Sequence, residues 1–228
     1  MPLYADRRDA GEKLANKIGS IGSSHFKNPV VLGIPRGGLS VGEPIADMLR
    51  CALEPITLRK LPLPQNDQMG FGAINIDKEV ILNKEVVEEG LVTSGEIKRI
   101  ADEVYREVQR RDALYRDGRP FPDLSDRDVF IADDGLATGY TMLAAVRFAR
   151  GRKARRVIAA IPVAHIEAYE LVKREVDSMF CLYIDHGFSF AVAMFYENFP
   201  DMTDDEVLEI IKRHQKNMKQ TEIGRAHV

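Results

Sequence analysis

A chain of 228 residues that is 45% hydrophobic and 29% charged suits one globular domain with a substantial core. Its formal net charge of −3 gives no global positive field to recruit nucleic acid or an anionic membrane. No segment nears the roughly 18 consecutive apolar residues of a membrane span, and the opening MPLYADRRDAGEKLA lacks the apolar stretch of a signal peptide, so a cytoplasmic protein is expected.

Residues 5–19 carry Ala10, Leu14 and Ile18 at helical spacing and predict an amphipathic helix. PVVLGI (29–34) predicts a short buried strand ending in PRGG, followed by a helix from about 40 to 50. LEPITLR (53–59) predicts a second strand, with Cys51 just ahead of it. LPLPQNDQMGFG, from Leu61 to Gly72, is rich in Pro, Gly and amides and predicts a long loop. AINID and EVILN, on either side of Asp77-Lys78, predict a hairpin.

A charged helix is expected over roughly 94–116, opened by Ser94 and closed before Pro120 and Pro122. DVFIAD (128–133) predicts a buried strand and TMLAAVRFAR the helix after it. RVIAAIPVA (156–164), a helix near 166–175 and SMFCLYI (178–184), which contains Cys181, continue the alternation. The basic run RFARGRKARR (Arg147 to Arg156) reads as a solvated helix end and turn. The last helix begins at Thr203, with Asp204, Asp205 and Glu206 at the positive end of its dipole. Glu222 to Val228 back-translate to GAGATCGGAAGAGCACACGTC, a sequencing-library adapter read as codons, and are set aside as not native. The two cysteines match no zinc spacing and read as reduced core thiols.

Strands apolar on both faces, alternating with helices, predict an α/β fold with a parallel sheet covered on both sides. In such folds ligands gather beyond the carboxyl ends of the strands, which singles out Pro35 to Gly38 and Asp133 to Thr141. In VFIADDGLATGYTM (129–142) four apolar residues run into two adjacent aspartates, an arrangement that folding alone does not favour. The small residues behind them let backbone N–H groups turn inward at a helix N-terminus, and Thr138 and Thr141 add hydroxyls, which together make a phosphate cradle. Carboxylates beside it would accept hydrogen bonds from vicinal hydroxyls, and a phosphate and a diol so spaced describe a ribose 5-phosphate. A Walker B strand is excluded by the lack of any GxxxxGK[ST], and GIPRGG lacks the Rossmann spacing.

VFIADDGLATGYT resembles the phosphoribosyl pyrophosphate (PRPP) signature of type I phosphoribosyltransferases. DRRDAGEKLA, VVLGIPRGGLSVGEPIA, the LRKL segment and GAI…VILN are similar to a branch of that family with unassigned acceptor. The resemblance implies a Rossmann-like parallel sheet with a small hood, in a single domain over residues 1–221. It implies that Asp133 and Asp134 hold the ribose hydroxyls. Ala137, Thr138, Gly139, Tyr140 and Thr141 would wrap the 5-phosphate. Pro35, Arg36, Gly37, Gly38, Arg59 and Lys60 would bind pyrophosphate, with Arg36 and Lys60 as its catalytic cations. Residues 61–72 match a mobile flap, and Mg²⁺ is implied, carried on PRPP and touching Asp133 and Asp134. Asp185 or His186 would hydrogen-bond a small-molecule acceptor, and Phe188 or Phe190 would stack on it. One departure is the absence of an acid at Ala137, where members acting on 6-oxopurines carry one. The implied activity is 5-phosphoribosyl transfer to a nucleobase nitrogen in nucleotide salvage, by a homodimer. The rival reading is a PRPP-binding regulatory protein without transferase activity.

Overall fold

The computed structural model describes residues 2–226, and the side chains of all of these except 67, 68 and 221–226. His227 and Val228, the end of the tail set aside above, lie outside the described residues. In chain order the elements are α1 (Arg7–Gly19), β1 (Val30–Gly33), α2 (Gly37–Leu49), β2 (Ala52–Pro55), β3 (Leu58–Leu63), β4 (Asn66–Asn75), β5 (Val80–Leu82), α3 (Lys84–Glu88), α4 (Ser94–Arg116), β6 (Asp128–Ala132), α5 (Tyr140–Gly151), β7 (Arg156–His165), α6 (Ile166–Lys173), β8 (Ser178–Asp185) and α7 (Asp204–Ala226).

Five strands form a parallel sheet in the order β2-β1-β6-β7-β8. The period of two along each strand sends alternate residues to opposite faces. Val31, Phe130, Ile158 and Ala160 meet α1, α2 and α7 on one face, through Leu14, Ile18, Leu39, Ile45, Val207 and Ile211. Val30, Leu32, Val129, Ile131, Val157 and Ala159 meet α5 and α6 on the other, through Met142, Phe148 and Val172. Both faces are therefore buried, as the unbroken apolar runs imply. No helix among the described residues is long and apolar enough to cross a membrane.

Two elements differ from the sequence reading. Residues 53–59 are not one strand: β1 ends at Gly33, opposite Pro55, and once the Ile56 amide has donated to the Gly33 carbonyl (3.0 Å) the chain peels away. It re-enters a separate antiparallel sheet of order β3-β4-β5. The segment 61–72, expected as a loop, is the body of the β3–β4 hairpin, with Leu58 opposite Asn75 and Leu63 opposite Asn66. Its prolines and glycines sit where the ladder is irregular, at register shifts on either side of Pro62. Leu61, Leu63, Phe71 and Ile74 bury against Val92, Ile100, Ala101 and Val108 of the α4 side, and that apolar face holds the hairpin in place. α4 itself starts with a capping box, Thr93 accepting from the Glu96 amide and Glu96 accepting from the Thr93 amide (2.9 Å).

The basic run after α5 is more than a solvated turn. Arg155 and Arg156 each reach the Asp128 carboxylate at 2.6 Å, and that aspartate is fully buried. Burial alone would raise its pKa, but the two guanidinium groups overturn this and hold it below the ordinary value. Cys51 is buried and Cys181 half-buried, both free, and burial pushes their thiols up to about 12 and about 11.

At the α2–α7 junction His214 is buried, with Nδ1 2.9 Å from Asp47 Oδ1 and Nε2 2.9 Å from the Cys51 carbonyl oxygen. Two acceptors call for two donors, which only the imidazolium supplies. Burial works against that charge, yet the Asp47 and Cys51 contacts and the nearby Asp47 and Glu43 charges raise the pKa. A raised folded-state value means stability fully present below the unfolded value of about 6.5 and lost as pH rises through the folded one. Thermal melts should therefore fall on going above neutral pH, and His214→Gln should flatten that slope. An unchanged slope in the variant would show that His214 is not the group responsible.

Candidate active site

β1 and β6 are neighbours, so the turns at their carboxyl ends meet. The Ile34 amide donates to the Ala132 carbonyl (2.9 Å), which joins the two turns at their roots. The peptide bond between Pro35 and Arg36 is cis. α2 opens at Gly37, earlier than the sequence suggested, and packs directly against the aspartates. A Cβ added to Gly37 would overlap the Asp134 carboxylate and come within 2.8 Å of Arg7 Nε. A Cβ on Gly38 would overlap the Ala132 carbonyl oxygen. The glycines of PRGG are thus required by the approach of one turn to the other.

The two aspartates differ in their surroundings. Asp134 accepts from Arg7 Nε at 2.7 Å, its amide donates to Asp133 Oδ1 (2.9 Å), and its carbonyl accepts from the Tyr196 hydroxyl (2.6 Å). Arg7 is held in turn by the Pro200 carbonyl (2.7 Å) and by the face of Phe199, 3.6 Å from the guanidinium carbon. Its side chain is only 9% exposed. Among the described residues Asp133 has no such cation against it. Burial first, and the Asp134 charge second, raise its pKa well above the carboxylate range. The sequence reading missed Arg7 and Phe199, because nothing in a helical DRRDAG or a C-terminal ENFP signals a contact with residue 134.

The loop after the aspartates is fixed at Leu136, whose amide donates to Val163 and whose carbonyl accepts from His165 (2.9 Å each). Gly139 then takes φ +83°, a left-handed conformation natural to glycine, and caps α5. The first α5 bond here runs from the Leu143 amide to the Gly139 carbonyl (2.9 Å), so the amides before it are left for another acceptor. Gly135 through Thr141 line a cavity of about 150 Å³ together with Lys60, Gly70 and Gly72 of the β3–β4 hairpin. The five residues read as a phosphate cradle, Ala137 to Thr141, are therefore brought together.

A second cavity of about 480 Å³ adjoins it, sharing Lys60 and Thr141. Its lining includes Pro35 and the three cations singled out in the sequence, Arg36, Arg59 and Lys60, and also Arg111 from α4, which was not foreseen. Arg36 makes no ion pair among the described residues. Burial, and next the Arg111 charge, lower the pKa of Arg59.

The four residues expected at the acceptor line neither cavity. Asp185 ends β8, opposite His165, and its carboxylate accepts from the Gly187 amide (3.0 Å). His186 is exposed and Phe188 projects fully into solvent. Phe190 packs among His165 and Phe195, with ring centroids 5.7 and 5.4 Å away. Among the described residues no group of three or more His, Cys, Asp or Glu could hold a metal ion.

The family model for the phosphoribosyl transferase domain matches residues 5–197. Two curated proteins from two strains of Mycobacterium tuberculosis, "Putative phosphoribosyl transferase MT0597" and "Putative phosphoribosyl transferase Rv0571c", are each 35% identical over 217 residues, covering 95% of this chain. The chain spans about half the length of these relatives (48%). The crystal structure of TT1426 from Thermus thermophilus is 33% identical and superposes with a TM-score of 0.75, covering 92% of this chain and 98% of that one. The matched region contains both turns, the hairpin and the paired aspartates, and the chain belongs to the phosphoribosyl transferase domain family.

Proposed function

We propose that the chain transfers 5-phosphoribosyl from PRPP to a nitrogen acceptor, a nucleobase by preference, and releases pyrophosphate. The observation that carries this reading is the order of three environments. A cradle of amides and hydroxyls follows the two carboxylates, and a cavity lined by four cations lies beside them on the PRGG side. PRPP has a monophosphate, a vicinal diol and a diphosphate in the same order. In the reaction the bond from C1 of the ribose to the diphosphate oxygen breaks, its electron pair leaving with pyrophosphate, while the acceptor nitrogen bonds to C1. Arg36 and Lys60 would stabilise the charge developing on the departing oxygens. The β3–β4 hairpin over the cradle would limit the access of water to an oxocarbenium-like centre.

A divalent cation fits this donor set as a passenger of the substrate. Two carboxylates without a third ligand are too few for a protein cage but enough to support Mg²⁺ held by PRPP oxygens. When bound it would offset the leaving group's charge. The names of the Mycobacterium relatives agree with the same chemistry.

The deciding experiment is pyrophosphate release from PRPP and Mg²⁺ against purines, pyrimidines, orotate and small amines. Release with one acceptor establishes the activity and names the substrate. PRPP binding with no release from any of them would make the chain a PRPP-responsive regulator, and no binding at all would remove the reading. Arg36→Ala should weaken pyrophosphate binding about ten- to a hundredfold, the range of a charge-assisted hydrogen bond, while sparing ribose 5-phosphate. Calorimetry with both ligands checks this, and an equal loss for both would place Arg36 elsewhere in the scheme.

A further inference from the structure

Glu107 lies on α4 among three guanidinium groups. Its carboxylate accepts from Arg110 Nε (2.7 Å) and Nη2 (2.9 Å) and from Arg111 Nε (2.9 Å), and Arg59 Nη1 stands 3.4 Å away. The Arg110 hydrogen bond, together with the Arg110 and Arg111 charges, pulls Glu107 down to about 2. Arg110 also reaches Asp204 (3.2 Å), which is itself held by the Tyr115 hydroxyl (2.6 Å), so Arg110 is anchored away from the cavity. Arg59 and Arg111 instead line it, facing Arg36 and Lys60. Arg111 is 17% exposed and comes from α4, whereas Arg59 and Lys60 belong to β3 and Arg36 to the turn after β1. Gathering this much like charge around one space is unfavourable unless an anion offsets it, and Glu107, outside the lining residues, does so in part through its contacts with Arg59 and Arg111.

We propose that Arg111 is a fourth cation of the diphosphate site, and that Glu107 is its resident counter-ion, exchanged for the diphosphate when ligand enters. Glu107 keeps Arg59 and Arg111 oriented toward each other in the free protein. Ligand oxygens take over both, and Arg110 retains the carboxylate, so no charge is left unpaired by the exchange. The inference rests on the PRPP reading above, and it assigns Arg111 a role toward diphosphate alone.

Calorimetry on the full chain with Mg²⁺ and, separately, inorganic pyrophosphate and ribose 5-phosphate tests it. Arg111→Gln should weaken pyrophosphate about tenfold, the lower range for a charge-assisted contact at a partly exposed site, with ribose 5-phosphate unchanged. Arg111→Lys should recover part of the loss, and it serves as the reading if the glutamine variant does not fold. Glu107→Gln should tighten pyrophosphate several-fold by removing the competitor. Unchanged pyrophosphate binding in both Arg111 variants overturns the assignment, and weaker binding in Glu107→Gln overturns the exchange. Either result with normal ribose 5-phosphate binding by the parent chain leaves the PRPP reading standing. A parent that binds neither probe removes both.

Discussion

Asp133→Asn should cut PRPP affinity by about a hundredfold, the upper range for a charge-assisted contact, while the chain melts at the same temperature or higher. The two halves of the expectation have separate causes. Affinity falls because an amide is a weaker acceptor for the ribose hydroxyls than a carboxylate. Stability holds or rises because the charged form is disfavoured in the fold by burial and by Asp134. A carboxyl with a raised folded-state pKa contributes stability below its unfolded value of about 3.9 and loses it as pH climbs through the folded one. At neutral pH Asp133 is therefore a cost, and Asn removes it. Melts at pH 7 with and without PRPP decide the matter. A variant several degrees less stable that PRPP still protects fully would make Asp133 part of the scaffold.

Arg7→Met should cost about 3 kcal/mol of unfolding free energy, near the low end for removing one partner of a buried ion pair. The low end applies because the Asp134 side chain is 19% exposed and retains some hydration. Methionine keeps most of the volume against Phe199 but loses the bonds to Asp134 and to Pro200, and leaves two adjacent carboxylates without the cation between them and the C-terminal segment. Chemical denaturation measures the loss, and Asp134→Asn in the same background should cost far less than it does alone, since the partners form one unit. Additive losses would mean that the pair contributes nothing beyond its separate packing.

The contrast between these residues marks what the sequence made legible. VFIADDGLATGYT is a local signal: strand, acids, loop and helix follow one another, so the elements could be read in place and the candidate site located with them. The parallel sheet was equally legible, because burial on both faces leaves unbroken apolar runs. Arg7 was not, since its partner lies 127 residues away and an arginine in an amphipathic helix looks like any solvated one. Arg111 was hidden inside REVQRRD because its pairing with Glu107 is an ordinary i,i+4 contact, and only the fold brings it to the same cavity as Arg36, Arg59 and Lys60. The hairpin was misread because Pro and Gly outweighed the alternation of Leu61 and Leu63, and only the apolar face of α4 explains why that alternation wins. The residues expected at the acceptor line neither of the two cavities described above. Aromatic composition in IDHGFSF gave their neighbourhood but no orientation, and Phe188 faces solvent.

Tyr4 pairs with Tyr196, and Arg7 is stacked on Phe199 while it holds Asp134. A ribosome makes both aspartates well before it makes the segment that clamps Arg7 over them. A nascent chain can therefore assemble β1, β6 and their turns early, as domains do when they fold during synthesis, yet it lacks the finished acid pair until Tyr196 and Phe199 have emerged. A ligand that binds only the finished arrangement would stabilise chains that have reached Phe199 over shorter ones.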